Sequence, residues 1–341
     1  MRLFITGGAG FIGSAFIRVA LAELPSCHIT NFDALTYAGN LDNLEGLDES
    51  RHHFIRGDIA DSEAVRAALD AGFEAVINFA AESHVDRSIA SAREFLQTNV
   101  LGTQVLLDTA RERGVRRFVH ISTDEVMGSL PEDEDAFFTE SSPYAPNSPY
   151  AASKAAAEHL VRAAHHTFGL DTVITRCGNN YGPRQFPEKL IPLVLSNAMD
   201  DQPIPVYGDG RNVRDWIYVE DHCRAILRAL QKGRPGAIYN IGARNERTNM
   251  EVIEAILDAL GKPHSLIRFV KDRPGHDRRY AIDASLAESE LGWHPVETWE
   301  SGLAKTILWY RENGEWIRRA RTGDYREFYA RQYGGMQFRT A

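Results

Sequence analysis

The sequence predicts an α/β protein: a doubly wound parallel sheet carrying a smaller C-terminal α/β lobe. Short apolar runs alternate with helical patterns through the first half of the chain, as in a parallel sheet covered by helices on both faces. The first run leads straight into a glycine-rich turn, GGAGFIG, and the second ends on an acid, Asp33. Beyond Arg176 the alternation gives way to stretches rich in Pro, Gly and Asn, which mark a second unit with longer connections.

Taken in order, residues 3–6 form the first strand. Gly7, Gly10 and Gly13 follow, permitting a tight turn, close approach of backbone to a pyrophosphate and close helix–sheet packing. The helix over 14–24 then offers unpaired N–H groups to phosphates at its N-terminus. Residues 28–32 form the second strand. Asp33 stands 20 residues after Gly13, where an acid can hydrogen-bond the adenosine ribose hydroxyls. Ala34, Leu35 and Thr36 include no arginine for a 2′-phosphate, which favours NAD over NADP. This is a Rossmann-type dinucleotide-binding unit. A strand over 53–56 precedes Asp58, which either caps the segment starting near Asp61 or accepts from an adenine amino group. Helices over 62–71 and 95–113 and strands over 75–79 and 117–122 continue the alternation. An Ala-rich helix over 150–168 follows Pro149, a favourable helix entry, and 172–176 is a further strand. Within the irregular stretch, NNYGPRQFPEK and DQPIPVYGDGRNVRDW read as loops around short elements. Helices over 219–231 and 249–260 follow. The expected division is 1–178 with 218–245 for the dinucleotide domain, and 179–217 with 246–341 for the second lobe, the chain crossing back once.

Composition bounds the function. Hydrophobic residues at 43% and charged residues at 25% are ordinary for a globular protein. A net charge of −9 argues against nucleic acid and acidic membranes as partners. No apolar run approaches the roughly 18 residues of a membrane span, and MRLFIT runs into glycines without a signal-peptide pattern. Cys27, Cys177 and Cys223 are odd in number and widely spaced, so a reducing cytoplasm is expected, and no metal site.

The chemistry-bearing residues lie in the middle of the chain. Tyr150 and Lys154 are four apart, on one face of a helix. An ammonium there lowers the phenol's pKa, so that the phenolate can take a proton from a sugar hydroxyl. The bland alternative is an exposed Tyr–Lys pair. Asp124 and Glu125 are adjacent carboxyls at a strand's end, suited to divide acid and base roles if their environments separate their pKa values. Capping of the loop towards Gly128 is the competing reading.

GxxGxxG, Asp33, Asp58-Ile59 and Tyr150xxxLys154 together resemble the extended short-chain dehydrogenase/reductase superfamily, over nearly the whole chain. Within it, FAAESHVDRS (79–88), STDEV (122–126) and RPGHDRRYAID (273–283) are similar to the dTDP-glucose 4,6-dehydratases. The resemblance implies C4 oxidation of dTDP-glucose, loss of water across C5 and C6, and return of hydride to C6 by a tightly retained NAD. Asp124 is then the acid, Glu125 the base, Tyr150 and Lys154 the oxidation couple, and Thr123 a donor near the hexose O4. It further implies cofactor contacts at Phe11, Ile12, Leu35, Thr36, Ile59, Ala80, Ala81, Ser83, Thr98, Ser122 and Asn180, besides Gly7, Gly10, Gly13, Asp33 and Asp58. Substrate contacts are implied at His84, Asn179, Lys189, Leu190, Pro205, Tyr207, Arg214, Asn249, Arg273 and His276. Arg214–Asp215 and Arg273–Asp272 also read as plain surface ion pairs, which contribute little. One departure is TDEVMG, with Met127 where the family usually has tyrosine. A homodimer is implied, through a four-helix bundle of helices 95–113 and 150–168. The rivals are a 4-epimerase, a UDP-glucuronate decarboxylase, and, from another class, a catalytically silent nucleotide-binding regulator.

Overall fold

The structure, a computed structural model, describes residues 1–132, 135–322 and 329. Its strands are β1 (Arg2–Thr6), β2 (His28–Asp33), β3 (His52–Arg56), β4 (Ala75–Asn78), β5 (Arg117–Thr123), β6 (Asp171–Cys177), β7 (Asn179–Tyr181), β8 (Ile204–Tyr207), β9 (Val213–Tyr218), β10 (Ile238–Ile241), β11 (Glu246–Thr248) and β12 (Ile267–Val270). The helices are α1 (Phe11–Glu23), α2 (Ser62–Ala68), α3 (Val85–Ala90), α4 (Arg93–Phe95), α5 (Thr103–Glu112), α6 (Pro149–Phe168), α7 (Leu190–Met199), α8 (Val219–Lys232), α9 (Asn249–Leu260), α10 (Ser285–Leu291), α11 (Trp299–Glu312) and α12 (Gly314–Ala320).

Seven strands form one parallel sheet in the order β10-β6-β5-β4-β1-β2-β3. Alternation along each strand divides its side chains between two buried faces. Leu3, Ile5, Ile77, Val119 and Ile121 pack under α1 and α8. Phe4, Val76, Phe118 and Ile174 pack under α2, α5 and α6. Both faces being covered, the strands read as near-continuous apolar runs.

The helix expected over 95–113 is built from α4, a π-helical turn over Leu96–Gly102, and α5. The wider turn places Asn99 where its amide bonds the backbone of Glu82 at 2.9 Å in both directions and Ser153 Oγ at 2.8 Å. α6 opens with Pro149 at its first position, and Ser148 caps it by accepting from Ala151 N. That arrangement fixes the start of the helix carrying Tyr150 and Lys154.

The second lobe holds a core of its own, with Tyr181, Val194, Val206, Trp216, Ile253, Trp299, Leu303 and Trp316 among its members. The expected division needs one correction. α10 lies within 246–341, yet Ala287 and Leu291, with the following Trp293, pack beside Val173, Ala225 and Ile241 of the sheet domain. Trp293 Nε1 also donates to Asp221 O at 2.9 Å. The chain therefore returns to the sheet twice, with β10 and with α10. Residues 323–328 and 330–341 of that expected lobe lie outside the described residues.

Candidate active site

A single cleft runs along the C-terminal ends of β1, β2, β4, β5 and β6, and residues from the second lobe close its far side. The ends of parallel strands are where open α/β sheets bind ligands. Its floor is the glycine turn. Gly7 takes φ +70°, and a Cβ there would lie 2.6 Å from Ala80 N; a Cβ on Gly13 would lie 2.3 Å from Gly7 O. A Cβ on Gly10 would meet only Gly7 O, at 3.3 Å, so its missing side chain leaves space on the cleft side. Gly10 also heads α1 with no side-chain cap, leaving first-turn N–H groups directed at the cleft.

Asp33 ties this turn to β2. Its Oδ2 accepts from Ala9 N at 2.9 Å and its Oδ1 from Leu35 N at 2.8 Å. Leu35 takes a left-handed φ of +55° and, unlike Thr36, does not line the cleft. Asp58 also lines it. The helix cap is Asp61, which accepts from Glu63 N and Ala64 N; Asp58 accepts from Ala60 N at 2.9 Å. Phe11, Ile12, Ile59, Ala80, Ala81, Ser83, Thr98, Ser122 and Asn180 complete the predicted set on the walls. His222 holds Asn180 through a 2.9 Å contact to Oδ1.

The catalytic candidates converge around Thr123 at the end of β5. Thr123 Oγ1 lies 3.2 Å from Asp124 Oδ1 and 3.3 Å from Glu125 N, and it hydrogen-bonds Tyr150. Burial raises the Asp124 carboxyl well above its ordinary range, and the neighbouring Glu125 adds to the shift. Glu125 is raised too, but Arg273, Lys189 and Arg214 oppose the effect of its withdrawal from water. The pair is thereby split in the sense an acid and a base require. One expectation is corrected. Burial, with Glu125 second, raises the Tyr150 phenol well above its ordinary value. Lys154 Nζ donates instead to Ile121 O at 2.6 Å, and burial brings its own pKa down to about 8.

The predicted substrate residues fall into two groups and two outliers. Thr123, Asn179, Lys189 and Leu190 line the cleft. Lys189 Nζ donates to Ser83 O at 2.9 Å, beside the buried His84. The second group meets at Asp86, which accepts from Tyr207 Oη at 3.2 Å and from Arg273 at 3.4 Å. His276 packs edge-on to Tyr207. Arg214 is buried, stacks on Tyr280 at 4.2 Å, and donates to backbone carbonyls of Asp277 and Arg278. Neither surface-pair alternative holds. Asp215 instead accepts from Ala243 N and Asn245 N, and Asp272 contacts His276. Pro205 is buried inside β8, and Asn249 opens α9 with its N–H on Asn212 O; neither lines the cleft.

Several wall residues escaped the sequence reading. Cys177 ends β6, so the strand-end rule had pointed to it. Gln185, Phe186 and Glu188 sit in the QFPEKL string beside Lys189, and Trp216 lies on β9. Met127 contacts the Arg176 guanidinium through Sδ at 3.5 Å, so it is a packing neighbour of the buried Arg176–Glu158 pair.

The family model described as GDP-mannose 4,6 dehydratase matches residues 4–306. A dTDP-glucose 4,6-dehydratase of Xanthomonas campestris is 52% identical over 94% of this chain and 96% of its own. The dTDP-glucose 4,6-dehydratase DesIV of Streptomyces venezuelae, solved with NAD bound, superposes with a TM-score of 0.91 at 52% identity, covering 94% of this chain and all of that one. A Thermus thermophilus UDP-glucose 4-epimerase in complex with NAD gives 0.84 at 32% identity, over 92% of this chain and all of that one.

Proposed function

From the premise that the chain belongs to the nucleotide-sugar 4,6-dehydratase family, we propose that it dehydrates dTDP-glucose to dTDP-4-keto-6-deoxyglucose in an NAD-dependent reaction, as a hydro-lyase. The observation that carries the reaction type is the Asp124–Glu125 pair, raised to different extents beside Tyr150. Epimerisation at C4 requires no second acid–base pair for C5 and C6. A decarboxylase would need a cation near C6, where Asp124 stands.

The residues fit NAD. The turn is open at Gly10, and Asp33 is an acid with no arginine among the three residues after it. NAD held there supplies a two-electron acceptor that is restored within each turnover. The protein's own steps are proton transfers. Tyr150 takes the C4 hydroxyl proton as it passes its own to neutral Lys154, which becomes the ammonium. The resulting ketone acidifies C5, whose proton Glu125 removes while Asp124 protonates the departing C6 oxygen. Arg214 and Arg273 form the cationic part of the diphosphate site, a planar guanidinium suiting phosphate oxygens, and His276, brought down to about 4 by burial and Arg273, stands beside them as a neutral imidazole. Tyr207 lies next to them, towards the base.

The assembly we infer is a homodimer, paired through a four-helix bundle of α6 and the α4–α5 helix. What supports it is apolar exposure on these helices: Leu96 is 55%, Leu101 46% and Phe168 53% exposed. A cytoplasmic location is in keeping with three buried free cysteines.

The role assignment is tested with Asp124→Asn and Glu125→Gln. Each is expected to slow water loss by roughly 100-fold or more, yet still to oxidise C4, seen as bound NADH by absorbance. Elimination at the unaltered rate in both variants would refute the division of roles.

A further inference from the structure

Beneath the cleft floor the apolar core changes character along one line. On the face covered by α5 and α6, Phe4 of β1, Val76 of β4 and Phe118 of β5 are core residues. Two positions further along each strand, the same face carries Thr6, Asn78 and His120. These are register partners across β1, β4 and β5, and all three are buried. They form a polar ladder. Ala80 N donates to Thr6 Oγ1 at 3.3 Å, and Thr6 Oγ1 donates to Asn78 Oδ1 at 2.6 Å. Asn78 Nδ2 lies 3.3 Å from both Thr103 Oγ1 and His120 Nδ1, and His120 Nε2 lies 3.5 Å from Lys154 Nζ.

Hydrogen-bond inventory fixes the sense of the ladder. With Asn78 Oδ1 occupied by the Thr6 hydroxyl, the amide turns its NH₂ towards Nδ1, which must then present a lone pair. Burial, with the Lys154 charge second, holds His120 well below its ordinary pKa, so the ring is neutral and its one proton is on Nε2. That N–H faces Lys154 Nζ. An ammonium finds no acceptor there, whereas a neutral amine can accept from that N–H with its lone pair. We propose that His120 is a positioning residue for the Tyr150–Lys154 couple: locked by Asn78 with its proton on Nε2, it withholds an acceptor from Lys154 and keeps the lysine ready to release its proton. Tyr150 lies one turn before Lys154 on α6; Glu158 on α6 and Cys177 on β6 both act in the opposite direction, favouring the ammonium. The consequence is a lysine that changes charge during turnover. This inference rests on the oxidation role given above to Tyr150 and Lys154.

The test is independent of activity. The chain has six lysines, so a protein labelled at lysine Cε gives a spectrum in which the Lys154 signal is assigned by its loss in Lys154→Met. In the unaltered protein that signal is expected to titrate near pH 8, and a ¹⁵N spectrum of labelled histidine to show His120 protonated on Nε2 throughout. In His120→Gln the carboxamide is free to turn its oxygen to Lys154, and the midpoint is expected to rise by about one pH unit. A Lys154 midpoint that does not move in a folded His120→Gln protein would overturn the proposal. So would a His120 proton on Nδ1 in the unaltered protein, a reading that needs no variant. Either result leaves the dehydratase assignment standing, since that is judged by product alone.

Discussion

Asp124 and Glu125 are neighbours in sequence that meet different surroundings. Asp124 turns into the protein beside Asp215, and its Oδ2 has no hydrogen-bond partner among the described residues. Glu125 faces Arg273, Lys189 and Arg214. The acid must be protonated, so activity falls as pH rises through the raised Asp124 pKa. The base must be ionised, so activity falls as pH drops through that of Glu125. A bell-shaped profile of kcat follows. Arg273→Gln removes the largest influence holding Glu125 down, so the acid limb is expected to move to higher pH by about half a unit or more; kcat measured against pH at saturating substrate checks this, and an unmoved limb contradicts it. At this scale the sequence was most legible where a motif carried the chemistry, as at Gly7, Asp33 and Asp124. It was least legible where function depends on a partner from another strand. Nothing near His120 in sequence names Asn78 or Lys154, and Asp86 is distant from the Tyr207 and Arg273 it joins.

The elements that place these residues are held by a few buried polar contacts. Arg176 of β6 and Glu158 of α6 form a fully buried pair with Nη2–Oε2 at 2.8 Å, and Tyr144 Oη donates to the same carboxylate at 2.9 Å. Glu158→Gln keeps the shape but leaves the Arg176 charge without its counter-ion, which costs about 3–5 kcal/mol. Urea denaturation is expected to show a midpoint lowered accordingly, and a change under about 1 kcal/mol would contradict the placement. The β–α alternation was readable because strands buried on both faces and helices buried on one differ in period. Two features were not. α7, LIPLVLSNAM, is apolar almost all round and contains Pro192, so it lacks a helical stripe. The proline is tolerated because it lies in the first turn, where its missing N–H has no partner to lose. The π-helical turn over Leu96–Gly102 leaves no mark in apolar periodicity; it exists to bring Asn99 to Glu82 and Ser153.

Over the whole molecule, the two lobes are interlocked by a chain that leaves the sheet after β6 and returns with β10 and again with α10. That second return escaped the sequence reading because α10 is a short helix with only Ala287 and Leu291 buried. The exposed apolar side chains of the α4–α5 helix and α6, Leu96, Leu101 and Phe168, are expected to pair two copies. Leu101→Glu places charge among them, and sedimentation velocity should find monomers where the unaltered protein gives dimers. A monomeric unaltered protein would refute the bundle. The most direct test of the reaction follows one hydrogen. dTDP-glucose carrying deuterium at C4 is incubated with the purified protein, and the 4-keto sugar, recognised by its alkali-induced ultraviolet absorption, is examined by mass and NMR. Deuterium at C6, with no net accumulation of NADH, is the predicted result. The absence of a keto sugar, or a keto sugar without label at C6 and with NADH formed in step with it, would contradict an internal redox cycle.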